Sequence, residues 1–76
     1  KISVYPNPSS NEFYIHTQKP VSNIVVCDLL GSGVQVSIQK QSPFVSRIGS
    51  ELRPGMYVLI VSYKDGSKQS HKIIKE

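Results

Sequence analysis

Apolar and polar residues alternate with period two along most of the chain. Val34, Val36 and Ile38 alternate with Gln35, Ser37 and Gln39, and Phe13 and Ile15 alternate with Glu12 and Tyr14. Successive side chains of a strand point to opposite faces, so each run sets one face on a core and the other in water. No stretch of helical length repeats apolar residues at i, i+3, i+4 and i+7. The apolar set is dominated by β-branched and aromatic residues, as strands favour.

Turn chemistry divides the runs. Pro6-Asn7-Pro8-Ser9-Ser10-Asn11, Lys19-Pro20, Gly31-Ser32-Gly33, Gln41-Ser42-Pro43, Arg53-Pro54-Gly55 and Asp65-Gly66 fall between them. Asp-Gly between two alternating runs is a strong hairpin signal. The pattern predicts seven short strands, at residues 2–5, 12–17, 23–29, 33–39, 43–48, 56–63 and 68–75. That spacing is expected of an antiparallel sandwich or barrel. A single helical turn between Arg47 and Leu52 is the one helical alternative.

With 76 residues the chain is one domain with a thin core. No run approaches the roughly 18 apolar residues of a membrane helix. The opening Lys1-Ile2-Ser3-Val4-Tyr5 has neither an initiator Met nor a signal-peptide layout, so the domain at 1–76 is expected to be cut from a longer protein. The single cysteine, Cys27, makes no internal disulfide, and one Cys with two His falls short of a zinc site. Cys27 lies in an apolar run and is expected to be a hidden thiol. The net charge of +4 suits an acidic partner without pointing to nucleic acid.

Four segments stand out. In Tyr5-Pro6-Asn7-Pro8 the two prolines lack N–H groups, which keeps the segment out of the middle of a sheet. It reads either as a blunted edge or as a stiff docking element. In Leu52-Arg53-Pro54-Gly55-Met56-Tyr57 the Pro54-Gly55 pair suits a type II turn. Tyr57 follows where a sandwich places a tyrosine corner, its ring aimed at the core and its hydroxyl bonded back to the backbone. The next strand is apolar on both sides. Tyr57, Leu59, Val61 and Tyr63 point one way and Met56, Val58 and Ile60 the other, so its second face is either covered or an exposed patch. In the tail, Lys64, Lys68, Lys72 and Lys75 lie within the last 13 residues. They read as an edge strand guarded by lysines or as a basic-apolar address, Lys72-Ile73-Ile74-Lys75-Glu76, with Lys75 and Glu76 at an accessible end.

Catalytic chemistry has little to work with. His16 and His71 are the candidate bases, and Glu12, Asp28, Glu51, Asp65 and Glu76 the candidate acids. No nucleophile elbow, dinucleotide fingerprint or phosphate loop is present, and no cofactor, metal or nucleic-acid partner is expected.

Taken in order, several segments resemble one family. Val4-Tyr5-Pro6-Asn7-Pro8 with Asn11-Glu12-Phe13-Tyr14-Ile15 resembles the opening of the type IX secretion C-terminal sorting domain. Ile24 to Gly31 is similar to its middle strand, Leu52 to Val61 to its Leu-x-x-Gly-x-Tyr strand, and Lys72-Ile73-Ile74-Lys75 to its basic-apolar ending. Asn11 stands where Gly is common, and Cys27 where Tyr is common. The resemblance implies an all-β, immunoglobulin-like antiparallel sandwich at the end of a protein exported to the periplasm. It implies recognition by the outer-membrane secretion machinery of Bacteroidetes-type bacteria, delivery to the surface, and in many cargoes removal by a sortase-like enzyme. The residues it marks for recognition are Tyr5, Pro6, Asn7, Pro8 and Lys72 to Glu76; Pro54, Gly55 and Tyr57 are structural. Two other readings are an accessory immunoglobulin-like module of a secreted hydrolase, which binds glycan or spaces domains, and a self-associating module.

Overall fold

A computed structural model describes residues 2–76. Its strands are β1 (Ile2–Tyr5), β2 (Phe13–Thr17), β3 (Val21–Asp28), β4 (Gly33–Val34), β5 (Ile38–Ser42), β6 (Val45–Ile48), β7 (Gly55–Tyr63) and β8 (Lys68–Lys75). They form two four-stranded sheets, ordered β1-β2-β6-β5 and β4-β3-β7-β8, with every paired neighbour antiparallel.

The strand count is eight rather than the expected seven. The run predicted as one strand at 33–39 is divided between sheets. Val34 pairs with Val26 in the second sheet, and after Gln35, Val36 and Ser37 the chain joins the first sheet, where Ile38 pairs with Ile48. Alternation survives such a crossing, so periodicity alone reads it as one strand. The turn expected at Gln41-Ser42-Pro43 comes slightly later: Pro43 and Phe44 form it, and the Ser42 hydroxyl accepts from the N–H groups of Phe44 and Val45. Between Arg47 and Leu52 there is a turn and no helix.

The core lies between the sheets. Phe13, Ile15 and Ile48 from the first meet Val26, Leu59, Val61 and Ile73 from the second, all essentially inaccessible. Burying one such side chain is worth about 1.5–3 kcal/mol. The inward set of β7 is the expected one, with Leu59, Val61 and Tyr63 buried and Tyr57 packed against the core. The β7–β8 hairpin forms at Asp65-Gly66, where Gly66 takes φ 92° and the Asp65 carboxylate accepts from the Ser67 N–H. In the β3–β4 hairpin Asp28 accepts from the N–H groups of Leu30 and Ser32, a capping role the glycines around it had concealed.

Candidate functional site

Sequence reasoning singled out two segments, at opposite ends of the chain, and the fold joins them. Residues 6–9 leave β1 in the first sheet and run as a strap along β8, the outer strand of the second. Both X–Pro bonds in this strap are cis. The Asn7 side chain bridges the strand: its Nδ2 donates to the Lys72 carbonyl at 3.0 Å, and its Oδ1 accepts from the Ile74 N–H at 3.0 Å. A carboxamide carries both a donor and an acceptor, so this one side chain serves β8 as a neighbouring strand residue would. One step on, the Ser9 N–H donates to the Ile74 carbonyl and the Glu76 N–H donates to the Ser9 carbonyl, at 3.0 and 2.8 Å. Ser9 is buried, and its hydroxyl donates to the Glu12 carbonyl. Pro6 and Pro8 bring no N–H of their own to this junction. The strap thus closes the last part of an edge that would otherwise offer open hydrogen-bonding groups.

The tail alternates. Lys72 and Ile74 face outward, whereas Ile73 is fully buried and Lys75 is only 5% exposed. This corrects the expectation that Lys75 lies at an accessible end. It shares the inner side of β8 with Ile73, so its ammonium enters the end of the sandwich and donates to the carbonyls of Gly49 and Ser50. A buried ammonium is tolerable only with such partners. Beside it the Glu51 carboxyl is held below its usual range, mainly by its own backbone N–H and that of Ser37, with Lys75 adding a smaller pull. Glu76 remains exposed.

The turn that receives Lys75 depends on Gly49, which sits at φ +90° and accepts from the Leu52 N–H. A Cβ there would fall 3.1 Å from the Phe13 ring. Gly49 and Ser9 are the residues that the sequence pattern missed. The usable signal was a buried-side lysine at the end of an alternating strand, which needs carbonyl partners.

Tyr57 behaves as a tyrosine corner, its hydroxyl donating to the Arg53 carbonyl at 2.7 Å. The ring is half-buried. Pro54-Gly55 does not make the expected type II turn. Gly55 has φ 157°, far from the roughly +80° of that turn, because it already pairs with Lys75 as the first residue of β7.

The outward side of the second sheet carries an apolar patch, flanked by Asn23, Ser62, Lys68, Ser70 and Lys72. Val25 lies opposite Ile60, Cys27 opposite Val58, and Met56 opposite Ile74. Val25, Met56 and Ile74 are 38%, 40% and 37% exposed. Cys27, expected to be hidden, is half-buried on this side, since the inward positions of β3 go to Ile24 and Val26.

The candidate acids and bases are dispersed. His16 is exposed on β2 and His71 half-buried on β8, in different sheets. Asp28 and Asp65 cap hairpins, and Glu12 pairs with Arg47 at 3.0 Å. The Ser67 hydroxyl and N–H, together with Lys19, hold the Asp65 carboxyl well below the usual carboxylate range.

These features define a small all-β module in which an N-terminal strap locks a C-terminal strand. Residues 3–76 match the family model described as the secretion system C-terminal sorting domain. The chain belongs to that family, the C-terminal sorting domains of type IX secretion. Membership implies a C-terminal sorting signal that sends its protein toward the cell surface or extracellular space. Comparison with curated proteins found no matching relative.

Proposed function

We propose that this domain is recognised as a folded unit by the outer-membrane type IX machinery, after its attached protein has reached the periplasm. The observation that carries this reading is the junction of strap and tail. Asn7 and Ser9 hold β8 through Lys72, Ile74 and Glu76, so the family's opening and closing motifs act on each other. The address is then a surface, made by the outward residues Lys72, Ile74 and Glu76, with Lys75 working inside the fold. The domain acts by recognition and not by catalysis.

We also read the sandwich as immunoglobulin-like. Support comes from the strand order, β1-β2-β6-β5 against β4-β3-β7-β8, which has the pattern of the two sheets of such domains. The Tyr57–Arg53 bond at the start of β7 adds to it.

Appending residues 1–76 to a periplasmic reporter in a type IX-competent strain tests the sorting role. Surface display of the reporter is the expected result. Periplasmic accumulation of a folded fusion would refute it. Deletion of residues 72–76 is a poor probe, since it removes buried Ile73 and Lys75 together with the exposed residues. Lys72→Ala leaves the interior intact and is expected to weaken display without lowering the melting temperature.

A further inference from the structure

We infer that the outward side of the β4-β3-β7-β8 sheet is a docking surface for a protein partner that offers an apolar centre edged by carboxylates. The inference rests on the sorting reading for where that partner resides. Val25, Val58 and Ile60 form the middle of the surface, and Met56 and Ile74 one end. An antiparallel sheet with one face on the core ordinarily turns polar residues outward. Here β7, a central strand, presents Met56, Val58 and Ile60 instead, on the side away from the core. A contiguous apolar surface on so small a domain marks an interaction site.

Charge narrows the partner. Lys72 stands opposite Val58 and Lys68 opposite Ser62, so lysines border the apolar rows along β8. The outward positions of β3, β7 and β8 carry no Asp or Glu, and the whole chain has a net charge of +4. A second copy would bring the same lysines and no carboxylate to meet them. A lipid surface would also attract lysines, but the outward positions of these strands hold no aromatic side chain of the kind that anchors at a bilayer interface. Complementary charge at the rim and an apolar centre are what a specific protein interface combines.

The test uses the full chain and open outer-membrane fragments from a type IX-competent strain, with protein-free liposomes of the same lipids as the comparison. The full chain is expected to bind the fragments and not the liposomes. Val58→Thr with Ile60→Thr should weaken binding about tenfold or more, as for central interface positions. Lys72→Glu should weaken it further than Lys72→Ala, and added salt should lower it. Threonine keeps strand propensity, and an unchanged melting temperature checks the fold. The inference is overturned by variants that bind as well as the parent chain, by equal binding to liposomes, or by sedimentation as a dimer that the Thr substitutions dissolve. Export of the reporter separates the two proposals. If the Thr variants are displayed at the parent rate, the docking surface fails and the sorting role stands. If the parent chain is not displayed yet binds fragments through this surface, the sorting role fails.

Discussion

The outward side of the first sheet carries Ser3, Tyr5, Tyr14, His16, Val45 and Arg47, whereas that of the second sets Val25, Met56, Val58, Ile60 and Ile74 among Asn23, Ser62, Lys68, Ser70 and Lys72. On the first, the side chains bind one another. The Tyr5 and Tyr14 rings stack at 5.8 Å, and Arg47 donates to both Glu12 and Gln39. On the second, Val25, Met56 and Ile74 stay partly exposed, with Val58 and Ile60 half-buried between them. One face is tied together by an aromatic stack and side-chain hydrogen bonds, and the other leaves a patch of aliphatic side chains partly exposed. Stability and recognition therefore reside in different places: substitutions in the Tyr5–Tyr14 stack or at Arg47 should disturb the fold, and those in the apolar patch of the second face should disturb binding.

Strand β8 separates stability from recognition most clearly, because its alternate residues face the core and solvent. Ile73→Ala should cost about 2–5 kcal/mol in denaturant unfolding, as a fully buried truncation, and Ile74→Ala less than about 1 kcal/mol. Equal costs would show that the tail does not dock as described. Lys75→Ala should cost about 1–3 kcal/mol, by leaving the Gly49 and Ser50 carbonyls without their donor, against less than about 0.5 kcal/mol for Lys72→Ala.

A smaller effect sharpens the contrast between the two outward faces. Arg47→Ala removes the Glu12 ion pair and should lower the melting temperature slightly, but leave reporter display intact. Val58→Thr should do the reverse.

The smallest effect concerns the hairpin that starts β8. The Asp65 carboxyl is depressed in the fold by Ser67 and Lys19. A depressed carboxylate contributes stability above its unfolded value, near 3.9, and that contribution is lost as pH falls through the folded value. Asp65→Asn should therefore flatten part of the decline in melting temperature that the parent chain shows below about pH 4. An unaltered decline would remove Asp65 from the account.

Much of the fold was legible because strand period and turn chemistry agree over β2, β7 and β8. The crossing at Gln35–Ser37 was not, since a chain that changes sheets keeps its alternation. The strap and tail were both visible as unusual segments. Their union was not, because it depends on a contact between residues 7 and 72 that no local pattern encodes. Lys75 was misplaced for a related reason: a lysine at a chain end reads as solvated until the carbonyls of Gly49 and Ser50 are seen to receive it. Cys27 was read from its apolar neighbours alone. On a strand flanked by two others, the apolar neighbours can lie on the outward side as well.

That misreading supplies a probe, since Cys27 is the single thiol and lies on the surface assigned to docking. The direct measurement is its rate of reaction with a soluble thiol reagent, with and without open outer-membrane fragments from a type IX-competent strain. A Cys27→Ser chain carrying His16→Cys reports on the other face. Cys27 is expected to react in the folded domain and to slow when fragments are added, whereas the thiol at position 16 reacts at the same rate with and without them. Equal slowing at both positions, or none at Cys27, would contradict it.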